Sequence, residues 1–523
     1  MFEYLIQNVQ ILDGSGREAF PGSVALSGGK IAAVGPAVTG ESVHMIDGRG
    51  RTLTPGFIDI HRHADAALFR PGFGRAELAQ GLTTIINGNC GLSLAPVFGP
   101  YSEAVLEYLA PITGRGETAF PTLADYRARV CRTSLPLNAG MLAGMGTLRA
   151  CTAGFQDRPL TDEEYRLLHK ALEQALADGA LGVSLGLGYA PDCFYTTPQL
   201  IRALEPLYRS GRTITVHMRQ EGDGVVEALR EMLEAARALE TPVEISHLKA
   251  IGRRNWRRAV PEMLGLIAQA REEGLDVMCD VYPYPAGSTQ LIHILPPEFQ
   301  SGGLEALTAA LQDRQVRREI RRRMECGTDF ENIAALVGFE NIRAASFHKP
   351  ENTAYEGCSI AEIAEIQGKD PYDTLFDLLA EEHCTISMID FITDEEDISD
   401  ILRAPFSGVI SDATYPDGLA HPRVCGAFPR LLERYVKRRV LSLPEAVHKI
   451  TRQPAERFQL AGKGRIESGA DGDLCLFDPE KIHETGTWRV PDQLALGMDW
   501  VFVNGIPAIA GGTFTGRAGG MLL

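Results

Sequence analysis

Through the middle of the chain, short apolar runs alternate with helical patterns, while both ends are built of brief alternating strands cut by glycine. From Phe2 to Thr54 the stretches ILDGSG, GSVALSGGKIAAVG and MIDGRGRTLTPG have the period-two alternation and turn residues of a small β unit. The texture returns from about Gly464 in RIESGADGDLCLFD, WVFVNGIPAIAGG and FTGRAGGMLL. Neither end can bury a sheet by itself, so both are expected to pair into one small barrel or sandwich. Residues 1–54 and 464–523 then form one domain, which the chain leaves and re-enters around a central unit at 55–463.

That central unit offers eight strand-like runs: GFIDIHRH, TTIINGNC, LNAGMLAG, ALGVSLGLG, TITVHMRQ, PVEISHLK, LDVMCDVYPY and GVISDAT. Eight strands separated by helical patterns predict an α/β fold of the (β/α)8 TIM-barrel type. In such barrels the chemistry sits at the C-terminal strand ends, and His61, His63, Cys90, His217, His247, Tyr282 and Asp412 all fall at or near them. The gap between strands seven and eight is too long for one helix. Residues from about 286 to 347 are read as an inserted lid. Its basic helix face, Arg314 to Arg323, is read as a solvated surface.

Composition narrows the class. A formal net charge of -17 with no basic stripe argues against nucleic acid and anionic membranes as partners. No run approaches the roughly 18 apolar residues of a membrane helix. Met1 is followed by Glu3 and a strand pattern rather than by a secretory leader. Ten cysteines without paired spacing predict reduced thiols and a cytoplasmic protein.

The chemistry gathers around PGFIDIHRHAD, Pro55 to Asp65. In an extended strand, positions i and i+2 face the same way, which makes His61 and His63 a metal claw. An isolated His-x-His is as often structural as ligating, and a lone Cys90 in NGNCGLS is more often a buried thiol than a ligand. His217 in TVHMRQEG and His247 in EISHLKA shift that balance. Each follows a β-branched run and faces the same barrel mouth, so Cys90, His217 and His247 make a three-ligand site with one position left for water. Asp412 in VISDATYPD ends strand eight, where a carboxylate can orient that water, take its proton and return it to a leaving amine.

From end to end the chain resembles the amidohydrolase superfamily, and within it the N-acyl-D-amino acid deacylases, or D-aminoacylases. The resemblance is carried by PGFIDIHRHAD, GLTTIINGNCGLSLAP, GVSLGLGYAP, HMRQEG, ISHLKA, DVYPYPAGST and SDATYPDGLAHPRVCGAFPRLL. It implies a tight Zn2+ site at Cys90, His217 and His247. It also implies a second, weaker one at His61 and His63 near Asp412, the general base and acid. Lys249, Tyr282 and Arg423 fall on positions that grip the substrate carboxylate in this family, a role suited to an ammonium, a hydroxyl and a guanidinium fork. Strand four ends in GVSLGLGYAPD without the lysine that other amidohydrolases carboxylate to bridge two metals, which disfavours the hydantoinase branch. Three positions depart from the family pattern. Arg62 stands between the two histidines, Met145 occupies a place where relatives often carry His, and Asp412 is followed by ATYPD rather than glycine.

The expected reaction is hydrolysis of the amide of a small-molecule N-acyl-D-amino acid. At the start of the lid, STQLIHILPP offers Gln290, Leu291, His293 and Leu295 and no Arg or Lys. Gln290 and His293 are therefore expected to contact a neutral or hydrophobic side chain. The alternatives are hydrolysis of a D-hydantoin or other cyclic amide, or of a D-dipeptide, and, more remotely, a barrel that binds without catalysis. D-selectivity rests on the resemblance, and the oligomeric state has no signal in the sequence.

Overall fold

In the computed structural model, which describes residues 1–114 and 118–523, eight parallel strands form the central barrel. They are Phe57–Asp59, Leu82–Asn87, Asn138–Met141, Gly182–Gly186, Thr213–His217, Val243–Ile245, Val277–Val281 and Ser407–Val409. The third continues as Ala143–Gly144, which carries the pairing on to the fourth. Every strand in the sequence-based count is present, and neighbours pair in parallel from Phe57↔Leu82 round to Val281↔Val409. The barrel closes between strands eight and one through backbone at the site itself. His63 N–H donates to Ala413 C=O (2.9 Å) and Asp412 N–H to His61 C=O (2.9 Å). Isoleucine, leucine and valine from all around the barrel, including Ile58, Ile85, Val183, Val216, Ile245 and Val409, fill the core between strands and helices. The β-branched isoleucines and valines among them suit a pleated surface buried on both faces.

Both chain ends lie in one nine-stranded sheet. Leu474–Phe477 pairs antiparallel with Thr52–Pro55, which joins the C-terminal strands to the N-terminal ones. The sheet has its own apolar core, with Ile6, Val24, Leu26, Leu53, Leu476 and Phe502 in it. Two such short sets of strands share one core because neither closes a hydrophobic face without the other.

The insertion after strand seven carries a three-stranded antiparallel sheet ordered Ala286–Gln290, Ser387–Phe391, Ile342–Ala345. Ser387–Phe391 is its central strand, and it pairs antiparallel with both neighbours. The inserted unit therefore runs on through Phe391 instead of stopping near 347. A separate core, with Leu291, Leu295, Leu307, Ile320, Leu375 and Met388 among its members, holds it together. On its outer side the basic helix Arg314–Cys326 is neutralised by ion pairs such as Arg317–Asp377 and Arg322–Glu319, as expected of a solvated face. Among the described residues, no helix is long and apolar enough to cross a membrane.

Candidate metal centre

Cys90, His247 and Asp412 have φ of 53°, 38° and 53°. Left-handed backbone is strained for such residues and persists where the surroundings demand it. Here it turns each side chain off its strand end and into the barrel mouth. Gly91, at φ 73°, shows why a glycine must follow Cys90: a Cβ there would stand 2.8 Å from the Gly186 backbone nitrogen. That glycine lets strand ends two and four pack.

The imidazoles, the thiol and the carboxylate converge. Cys90 Sγ lies 3.2 Å from His61 Nε2 and 3.4 Å from His247 Nε2. His247 Nε2 lies 3.1 Å from His217 Nδ1, while Asp412 Oδ1 is 3.4 Å from His61 Nε2 and 3.3 Å from His63 Nε2. Tetrahedral ligands held at about 2.0–2.3 Å from an ion stand roughly 3.3–3.8 Å apart. These donors form two groups sharing Cys90, one with His61, His63 and Asp412 and the other with His217 and His247. Burial pushes two of these imidazoles toward the neutral form, His61 well down and His217 down to about 3, as metal coordination requires. Burial, with the Asp412 and Glu221 carboxylates beside it, pushes the Cys90 thiol well up. A divalent cation would invert that preference and stabilise the thiolate. The donor set and its spacing fit one or two zinc ions.

Around these donors stand residues that sequence reasoning did not single out. Glu221 is buried, and its Oε1 accepts from His247 Nδ1 (2.9 Å) and Lys249 Nζ (2.7 Å). A proton held on Nδ1 leaves Nε2 of His247 free to ligate. Asp280 Oδ1 accepts the His247 backbone N–H at 2.5 Å. Glu221 follows His217 by four residues in HMRQEG, a spacing that carries no signal outside a helix.

Lys249, Tyr282 and Arg423 do come together. The Arg423 guanidinium lies 4.7 Å and the Lys249 ammonium 5.7 Å from the Tyr282 ring centre. Burial works against the Lys249 charge, but Glu221 overcomes it and keeps the amine protonated. Burial would also raise Asp412; Arg423, with Nη1 2.9 Å from Oδ2, and His61 outweigh it and hold the carboxyl well below its usual range. Arg62 points away from the donors. Its guanidinium is fully buried among Asp59, Glu77 and Tyr415, so its charge is neutralised away from the metal position.

A cavity of about 60 Å³ opens over the donors. His293 lines it and stacks on Tyr189 at 4.1 Å between ring centres. Gln290 does not reach the cavity: it is fully buried and its amide donates to Tyr108 C=O (2.8 Å), in helix Ser102–Thr113. Leu291 and Leu295 belong to the core of the insertion. Two carboxylates that the sequence did not flag, Glu331 and Asp390, line the cavity from the insertion side.

The amidohydrolase family model matches residues 44–490. The chain is 34% identical to a D-aminoacylase of Alcaligenes xylosoxydans xylosoxydans over 100% of its own length and 97% of that protein. It belongs to the D-aminoacylase family of amidohydrolases. Two solved members of that family share the architecture. N-acyl-D-glutamate deacylase from Bordetella bronchiseptica, complexed with zinc and a phosphonate mimic of the tetrahedral intermediate, superposes with TM-score 0.85 at 30% identity, covering 100% of this chain and 99% of that one. A D-aminoacylase with a binuclear metal centre superposes with TM-score 0.84 at 31% identity over 100% of both chains. A metal-dependent amidohydrolase acting on linear amide bonds accounts for the donors, the buried base and the cations together.

Proposed function

We propose that the protein is a zinc-dependent deacylase of N-acyl-D-amino acids, releasing a carboxylate and a free D-amino acid. The observation that carries this reading is the gathering of Cys90, His61, His63, His217, His247 and Asp412 into two donor groups that share Cys90, with Lys249 and Tyr282 lining the same cavity and Arg423 buried behind them against Asp412 and the Tyr282 ring. When bound, zinc supplies a Lewis acid that polarises the amide carbonyl and brings the pKa of water to about 7.

The chain's own residues do the rest. Asp412, kept ionised beside Arg423, takes a proton from the attacking water as its oxygen joins the carbonyl carbon. The C–N bond then breaks and Asp412 returns the proton to the departing nitrogen. Glu221 fixes the ring orientation of His247. Lys249, Tyr282 and Arg423 orient the α-carboxylate, so the amide is presented in one register. A cytoplasmic location and a small-molecule substrate, without nucleic-acid partners, complete the reading.

Amine release from the D and L forms of N-acetylmethionine and N-acetyllysine tests it. Zinc-loaded protein is expected to hydrolyse the D forms alone and to stop when chelated. Turnover of neither enantiomer, with zinc still bound, would redirect the reading to cyclic amides and D-dipeptides.

A further inference from the structure

The charges facing the cavity do not balance. Lys249 is paired with Glu221, and Arg423 with Asp412. Glu331 and Asp390 remain, both contributed by the insertion and both lining the cavity. Asp390 is 2% exposed, and among the described residues its Oδ1 has no hydrogen-bond partner. Glu331 is half-buried beside Glu221 and His217, and its Oε2 accepts the Glu221 backbone N–H (3.1 Å). Among the described residues no arginine lines the cavity, and Lys249 is its single lysine. Burial pushes Asp390 up to about 6 and, with repulsion from Glu221, Glu331 up to about 8, in each case against the pull of Lys249, so both are carboxyls that a cation placed beside them would ionise. A buried carboxylate without a partner is costly and uncommon, and in a binding cavity it marks a place for a ligand group.

The place of that group follows from the substrate's own shape, on the deacylase reading above. The α-carbon bears the scissile amide, directed to the metal donors, and the carboxylate, directed to Tyr282, Lys249 and Arg423. Its side chain must leave toward the remaining wall. There Ile333 and Ile392 offer an apolar passage, and Asp390 and Glu331 stand beside it. Asp390 Oδ1 lies close to the carboxylate grip, since a single point above Gly287 is 3.0 Å from it and 3.3 Å from the Tyr282 hydroxyl. A methylene stem ending in a cation matches both features: the stem covers the isoleucines and the head receives charge-assisted hydrogen bonds.

We infer that Asp390 and Glu331 form a cation-selective side-chain subsite, so that the substrates it favours are N-acyl-D-amino acids with a basic side chain, D-lysine or D-arginine in type. An acidic side chain would meet two carboxylates and a neutral His293. An apolar one would leave Asp390 Oδ1 unpaired. The expectation of a neutral side chain came from the lid start alone, where STQLIHILPP offers no Arg or Lys; these acids enter from much further along the insertion.

The test compares kcat/KM of the zinc-loaded enzyme for N-acetyl-D-lysine and its neutral near-isostere N-acetyl-D-norleucine, in the natural protein, Asp390→Asn and Glu331→Gln. The natural protein is expected to prefer the lysine substrate by about tenfold or more, the size of one net charge-assisted hydrogen bond. At least one variant should narrow that ratio by a similar factor. Equal or better turnover of norleucine by the natural protein, or a ratio that neither variant moves, overturns the subsite while leaving the deacylase reading intact. If no N-acyl-D-amino acid is hydrolysed, the deacylase reading fails, and calorimetric titration with the same two compounds decides the subsite. Tighter binding of the lysine compound, lost in Asp390→Asn, supports it; equal binding overturns it.

Discussion

Glu221 and Asp412 are both buried carboxylates within reach of candidate ligands, yet they answer to different measurements. Glu221 touches His247 through Nδ1, the nitrogen that faces away from the donor cluster, and shares itself with Lys249. Glu221→Gln is expected to weaken zinc binding by about 10–100-fold in a chelator-competition titration, the usual effect of losing such a partner. Asp412→Asn removes the proton acceptor and leaves Cys90 and all four imidazoles in place. It should retain zinc while kcat falls by at least about 100-fold; substantial residual turnover would assign the base elsewhere. The donors themselves were legible because each ends a β-branched run, and chain position alone puts it at a barrel mouth. Glu221, Glu331 and Asp390 were not, because an acid on a loop or an antiparallel strand reads as solvated until the fold covers it. His293 was found and Gln290 misplaced for a related reason. Both lie in one apolar stretch, and only the packing against helix Ser102–Thr113 decides which of them turns outward.

At the scale of elements, the insertion is seated on the barrel by close contact. Leu336 of helix Ile333–Val337 packs against the loops that follow strands five and six. A Cβ on Gly222 would stand 2.5 Å from one of its methyls, and a Cβ on Gly252 3.0 Å from the other. Gly222→Ala is expected to lift this helix, and Glu331 and Ile333 with it, at about 1–3 kcal/mol of overpacking. KM should rise more than kcat falls, and Leu336→Ala in the same chain should restore it; failure of the double variant to recover would place the effect in the loop backbone. The barrel strands were readable from their apolar runs, since parallel strands are buried on both faces. The far edge of the insertion was not. Its central strand, Ser387–Phe391, is separated in sequence from both partners, and pairing over such distances leaves no local pattern.

In the molecule as a whole, the two termini make one sheet, the insertion keeps its own core, and the barrel between them carries the site. This organisation follows from length and pattern: two glycine-punctuated ends that cannot fold alone, and a middle with eight strand signals. The formal net charge of -17 spreads over a surface whose basic helix is already neutralised. Substrate therefore meets the mouth without help from long-range steering of an anion. The favourable field for a carboxylate is local to the cavity, where Lys249 and Tyr282 line the wall and Arg423 lies buried behind the Tyr282 ring.

The barrel's last join is made by His61, His63, Asp412 and Ala413, where the backbone bonds that complete the ring belong to residues whose side chains face the metal position. Catalytic cofactor and mechanical clasp are thus coupled through the same few peptide groups. Any ion held there binds the folded form in preference to an opened one, and by linkage it stabilises the ring against fraying. Stripping zinc should therefore speed hydrogen–deuterium exchange at the amides of His63 and Asp412 ahead of those in the middle strands, Thr213–His217 and Val243–Ile245. Uniform exchange across all eight strands would show that the ring holds shut without its ion.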